Sequence, residues 1–110
     1  MIIHKGLKDR WNQLSLMEQL ANVGTDLSRA FRWKKRGNHE LSQQAFYRVL
    51  ELLDFTIRDP KNRKRLKEVV RTREVLIDHF MFDNKYKTTE ESWEKYFLQF
   101  NYAAALRRGK

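Results

Sequence analysis

The chain has 110 residues, 41% of them hydrophobic, with one proline, four glycines and no cysteine. Such a length makes one domain with a modest core, and the absence of thiols excludes disulfides, thiolate zinc sites and a cysteine nucleophile. Lys and Arg number 23 against 14 Asp and Glu, a net charge of +9, which implies an extended positive potential and a polyanionic or acidic partner.

Residues 1–12 read as an N-terminal arm in which Trp11 docks. Met1-Ile2-Ile3 is too short for the apolar region of a secretory signal, and no run approaches the roughly 18 apolar residues of a membrane span. A cytoplasmic protein without membrane contact is expected. A first long helix follows. Ser15 and Glu18 stand at capping-box spacing, where each satisfies a backbone N–H left unpaired in the first turn. Leu16, Leu20, Val23, Leu27, Ala30 and Phe31 recur every three or four residues as one stripe. Gly37 stops this helix, and Asn38 caps the next.

The second helix carries Leu41, Ala45, Phe46, Val49, Leu50, Leu53 and Ile57, an apolar face broad enough for the inside of a globular bundle. It ends near Arg58. Asp59-Pro60 reads two ways, as the close of this helix or as cap and first residue of the third; either makes a tight corner. The third helix is expected from Lys61 to Phe82, with Leu66, Val69, Val70, Leu76, Ile77 and Phe80 as its stripe. After "DNKYK", Thr88 and Glu91 form a second capping-box candidate. Trp93, Tyr96, Phe97, Phe100, Ala103 and Ala104 line the fourth helix, and residues 107–110 form a frayed basic tail. Four amphipathic segments with short connections pack antiparallel, so the expected fold is all-α: a single domain over 1–110, an up-down-up-down antiparallel four-helix bundle. The surplus of large apolar residues predicts a homo-oligomer of unspecified symmetry.

Two basic runs stand out. The first, "RAFRWKKR", places Arg32, Lys34, Lys35 and Arg36 at the end of the first long helix, where the helix dipole already favours cations. The second, Arg58 to Arg73, holds eight Lys or Arg against Asp59 and Glu68. Its members Lys61, Arg63, Lys64, Arg65 and Lys67 fall at an expected helix start, where the dipole disfavours them and free N–H groups welcome an anion. These residues, with Arg71 extending the run, are the candidate contacts to a phosphate backbone. Trp33, Tyr86 and Tyr102 serve either base stacking or packing. No helix-turn-helix, glycine-rich phosphate loop, paired-histidine motif or spaced carboxylate set occurs, which disfavours duplex sequence readout and metal-dependent hydrolysis. Neither a metal nor a cofactor is expected.

Within "RTREVLIDHF", Arg73 interrupts the apolar stripe and calls for an acid, Glu51 or Asp54, on the second helix. His79 follows six residues later, roughly 120° round the helix. Paired in one groove, the two would supply an imidazole for proton transfer and a guanidinium for phosphorane charge in metal-independent RNA cleavage.

Three resemblances follow from these residues. Arg73, the polar Glu74 after it and His79, late in a small helical domain, resemble the arginine-to-histidine motif of the HEPN superfamily, which implies ribonuclease activity with Arg73 and His79 as its catalytic pair. "LSLMEQLANVG", "RVLELLDFTI" and "SWEKYFLQF" look like an uncharacterised family of small helical bacterial proteins. Length, bundle architecture and basic balance are similar to the accessory variability proteins of diversity-generating retroelements. That likeness implies an oligomer that binds nucleic acid and a reverse transcriptase. The expected function is a basic accessory protein contacting RNA or single-stranded nucleic acid within a larger complex. The alternatives are a scaffold or adaptor for an acidic protein partner and the HEPN-like ribonuclease.

Overall fold

A capping box starts the first long helix at the expected place. Ser15 Oγ accepts from the Glu18 N–H at 3.2 Å, and the Glu18 carboxylate accepts from the Ser15 N–H at 3.0 Å. At the far end Gly37 takes a φ of +80°, a left-handed turn that suits a residue without Cβ. Asn38 Oδ1 then accepts from the Leu41 N–H at 3.0 Å and opens the next helix. The computed structural model describes residues 5–108. Its elements are α1 (Lys5–Asn12), α2 (Leu16–Lys35), α3 (His39–Arg58), a 3-10 helix (Pro60–Arg65), α4 (Leu66–Met81) and α5 (Glu90–Arg108).

The long helices α2 to α5 pack as an all-α bundle around one core. Three contacts fix the direction of α5 against α2. Lys35 Nζ lies 3.7 Å from Glu90 Oε1 at one end, Gly24 meets Phe97 midway, and Ala21 and Ala104 line one groove at the other end. The two helices are therefore antiparallel. Likewise, Ser42 Oγ of α3 donates to the Ala30 carbonyl at 2.8 Å, and Arg48 lies 3.5 Å from Asp26. Phe80 of α4 stacks on Phe46 of α3 with centroids 4.2 Å apart, while Arg73 reaches Asp54 further along. Leu20, Val23, Leu27 and Phe31 from α2 meet Phe46, Val49, Leu52 and Leu53 from α3 in the centre, closed by Leu76 and by Trp93, Phe97 and Phe100.

Several expectations shift. The described part of the expected arm, from Lys5, is helix α1, held because Trp11 is buried and its Nε1 donates to Thr56 Oγ1 at 3.0 Å. The expected basic tail begins inside helix, since α5 continues to Arg108; residues 109–110 lie outside the described residues. The cap of α5 moves by one residue: Thr89 and Ser92 exchange side-chain and backbone bonds at 3.0 Å each. Thr88 instead bonds back into the preceding loop through Asn84. On α4 the stripe is narrower than its apolar spacing indicates. Leu66 and Val70 are exposed, and Thr72 is buried, donating to the Glu68 carbonyl and meeting Tyr96 Oη.

The largest revision concerns the corner. Both readings of Asp59-Pro60 hold, because Asp59 ends α3 and also caps the 3-10 helix. The α-helix proper then begins at Leu66 rather than Lys61. Pro60 has no N–H to leave unpaired and a φ already suited to a first turn. The cause of the delay lies underneath, in a buried polar cluster. Gln19 Nε2 donates to the Trp11 carbonyl at 2.9 Å and to Asp59 Oδ2 at 2.8 Å, while Gln19 Oε1 accepts from Asn62 Nδ2 at 2.8 Å. Asn62 Nδ2 also donates to the Thr56 carbonyl at 2.9 Å. Lys61 closes the cluster from the rim, its Nζ on Asp59 Oδ2 and on the Asn12 carbonyl. This clamp ties α1, α2 and α3 to the 3-10 helix.

Candidate nucleic-acid interface

The clamp decides which members of the second basic run are available. Lys61 neutralises Asp59, and Arg65 Nη2 lies 2.6 Å from Glu68 Oε1. Burial raises the Asp59 pKa, but the hydrogen bonds from Lys61 and Gln19 outweigh it and hold the carboxyl below its ordinary value. Glu68 is held low in the same way: burial opposes ionisation, and Arg65 and the Tyr96 hydroxyl overcome it. Arg58, Arg63, Lys64 and Lys67 remain exposed, with no ion pair among the described residues. Arg63 and Lys64 stand on the 3-10 turn, flanked by Arg58 at the end of α3 and Lys67 at the start of α4, and the inward side chains of that turn are held by hydrogen bonds.

One part of the expected anion site is absent. The Asp59 carboxylate already accepts from the Lys61 N–H at 3.2 Å at the start of the 3-10 helix, and α4 follows that helix directly, the Leu66 N–H donating to the Arg63 carbonyl. Anion recognition at this corner therefore rests on side-chain charge rather than on a vacant helix terminus.

The first run lies at the opposite end of the bundle. Arg32 is exposed, Lys35 pairs with Glu90, Lys34 sits 5.1 Å over the Phe80 ring and Arg36 sits 5.6 Å over Trp33. Arg71 is exposed on α4. Its guanidinium lies 4.9 Å over Tyr86, in the loop between α4 and α5. Of the candidate stacking residues, Trp33 is half-buried, Tyr86 is exposed beside Arg71, and Tyr102 is on α5, away from these cation–ring pairs.

Arg73 and His79 turn to different neighbours. Arg73 Nε is 2.9 Å from Asp54 Oδ1 on α3, which settles the choice between Asp54 and Glu51. His79 meets Phe31 of α2 edge-on, and its Nδ1 lies 2.9 Å from Thr88 Oγ1. Asp78 accepts from the Tyr86 N–H at 3.1 Å, so the end of α4 serves as the anchor of the following loop. In that loop Asn84 and Lys87 both take positive φ, and Asn84 is bonded on both sides of its amide to Thr88. Arg73 and His79 share no hydrogen bond or ring contact among the described residues. Side-chain exposures of 30% and 41% place the Arg73–Asp54 pair partly in water. Arg73→Ala should therefore lose only about 0.5–1 kcal/mol of unfolding free energy. A loss of about 3 kcal/mol or more in urea denaturation would instead mark a fully desolvated pair.

Two features escaped the linear reading. Arg58, read from the sequence as the start of the second run but not as one of its candidate contacts, is exposed beside Arg63 and Lys64 once the corner is folded. Leu98 and Leu106, exposed with Tyr102 on the outer side of α5, carry an i, i+4, i+8 signal that the sequence does contain. Among the described residues no group of three or more His, Asp or Glu is placed to hold a metal ion, and no helix is long and apolar enough to cross a membrane. Compared with protein-family models, curated proteins and solved structures, the chain gives no match.

Proposed function

We propose that the protein is a small nucleic-acid-binding accessory protein that engages RNA or single-stranded DNA through phosphate contacts. The observation that carries this reading is the corner after α3. Four exposed cations without ion-pair partners among the described residues, Arg58, Arg63, Lys64 and Lys67, lie on and beside a turn pinned from below by Asp59, Asn62 and Gln19. A fixed base lowers the ordering cost of binding, and each neutralised phosphate releases counterions. The end of α2, with Arg32 exposed and Lys34 and Arg36 over aromatic rings, offers a second cationic surface. With net charge +9 the whole particle attracts polyanions at long range.

Binding of fluorescent single-stranded RNA and DNA, measured by anisotropy across a salt series, tests this. Affinity should fall roughly 10- to 100-fold between 50 and 200 mM salt, as expected for a few phosphate contacts. The Arg63→Glu, Lys64→Glu double variant should weaken binding at least about tenfold with little dependence on nucleotide sequence. Salt-insensitive binding, or none at 50 mM salt, would overturn the reading. Retained affinity in the double variant would move the contact to the α2 end.

A further inference from the structure

In a bundle each helix hides one face, but α5 is apolar on two. Trp93, Phe97, Phe100 and Ala104 are buried against the bundle, while Leu98, Tyr102 and Leu106 are 62%, 68% and 55% exposed. At four-residue spacing these three form a continuous ridge along the outer side, roughly 12 Å long at 1.5 Å per residue. Ala105 lies exposed beside it. An exposed apolar ridge of this kind, rimmed by polar residues, calls for a cover.

We infer that the cover is the α5 of a second copy, antiparallel to the first across a two-fold axis near residue 100. Charge selects both the partner and its direction. The helix begins Glu90, Glu91, with Glu94 one turn on, and ends Arg107, Arg108. Antiparallel pairing sets the acidic start of one helix beside the basic end of the other and opposes the helix dipoles favourably; parallel pairing sets like beside like. Around Leu98 the exposed Glu91 and Glu94 are balanced by Arg32 and Lys95, so this face has no net charge to favour a polyanion or an acidic peptide. The surface also has relief. Between α2 and α5 runs a groove of about 870 Å³, floored by Gly24, Thr25 and Ser28, with Leu98 among its lining. In the two-fold register Tyr102 of each copy falls opposite Leu98 of the other, beside that groove.

The pairing has a consequence for the basic runs. The end of α2 lies at the start of α5, as Lys35 and Glu90 show, whereas the Asp59 corner lies with the start of α2 and the end of α5. In an antiparallel dimer the Arg32–Arg36 cluster of one copy is therefore at the same end as the partner's Arg58–Lys67 cluster. Two patches that one protomer separates become two composite ones. This composite role rests on the nucleic-acid reading; the dimer itself does not.

The test is accordingly made without nucleic acid. Sedimentation velocity at roughly 100 µM, where a contact of micromolar affinity is populated, should give twice the protomer mass. The mass is read at one fixed salt concentration, because salt screens both the attraction between the helix ends and the repulsion between two copies of net charge +9. Leu98→Glu should give the monomer mass with the wild-type helical circular dichroism. A wild type at monomer mass, or a Leu98→Glu protein that still dimerises, overturns the proposal. Orientation is read from disulfides, since the chain has no cysteine of its own. Lys95→Cys and Ala105→Cys proteins should cross-link when mixed and not when oxidised alone. Cross-linking of each alone and not on mixing would reveal a parallel pair and overturn the antiparallel register.

Discussion

A Gln19→Met protein should lose about 3–5 kcal/mol of unfolding free energy, a large share of the 5–15 kcal/mol typical of a domain. Gln19 has no exposed surface, and its amide is the hub of the clamp: two donations, to the Trp11 carbonyl and Asp59, and one acceptance, from Asn62. Methionine is close to glutamine in volume, so the cavity contribution is small. What remains is one Asn62 amide hydrogen deprived of its partner in the interior, at about 1–3 kcal/mol, while the Trp11 carbonyl and Asp59 Oδ2 each lose one bond, of about 0.5–1.5 kcal/mol, and keep the Leu14 N–H and Lys61 respectively. Urea denaturation measures the loss. A change under about 1 kcal/mol would show that the surrounding groups re-pair without Gln19.

The same clamp carries a pH signature. The folded pKa of Asp59 lies below its ordinary value, so its contribution is present above the unfolded carboxylate pKa of about 3.9 and is lost as pH falls through the folded one. Asp59→Asn should flatten that acid limb. Asp26 acts in the opposite sense. Burial raises its pKa despite Arg48 and Arg29, so its contribution is present below the unfolded value and lost as pH rises through the folded one. Subtracting the Asp59→Asn curve from the wild-type curve isolates Asp59. Loss of the clamp should also release the turn bearing Arg63 and Lys64, which links stability at this corner to the proposed binding surface.

Gly24→Leu should destabilise by about 3 kcal/mol or more through overpacking. A Cβ at Gly24 would stand 2.6 Å from Phe97 Cβ and 3.1 Å from its Cγ. The obstacle is the root of a buried side chain on α5, so rotamer adjustment offers no escape and the two helices must separate. Gly24→Ala makes the sign diagnostic. Helix propensity alone predicts a gain of about 1 kcal/mol for alanine over glycine in a helix interior. The contact with Phe97 predicts a net loss instead. An alanine variant more stable than wild type in urea would mean that α2 and α5 are not seated this closely.

Periodicity and capping chemistry are local properties, and they were legible along the chain. The Ser15–Glu18 box, the turn at Gly37 and the Asn38 cap lie where their residue types place them. So do the buried stripes of Leu20 to Phe31 and Trp93 to Ala104. The choice of Thr89 over Thr88 as cap was not legible, because both threonines offer the same hydroxyl and Asn84 claims one of them from across the loop. Nor was the narrow inner face of α4, where Thr72 is buried while Val70 is not, since the neighbouring helices decide which side faces in.

Sequence by itself determined the four long helices, though not α1 or the 3-10 helix, together with the bundle and the excess of positive charge, because helix period, cap residues and ionisable groups need no distant partner to be read. Tertiary structure alone decided what those charges and motifs are free to do. Gln19, Trp11, Asp59 and Asn62 are separated by up to 51 positions, from 11 to 62, and their meeting delays α4, occupies Lys61 and leaves Arg58, Arg63, Lys64 and Lys67 outward. Likewise Arg73 and His79 share a helix but point to Asp54 and Thr88, since the bundle supplies each with a different neighbour. The physical reason is common to both cases. A buried polar group must find its partner wherever packing brings one, and that partner is set by the fold rather than by spacing along the chain.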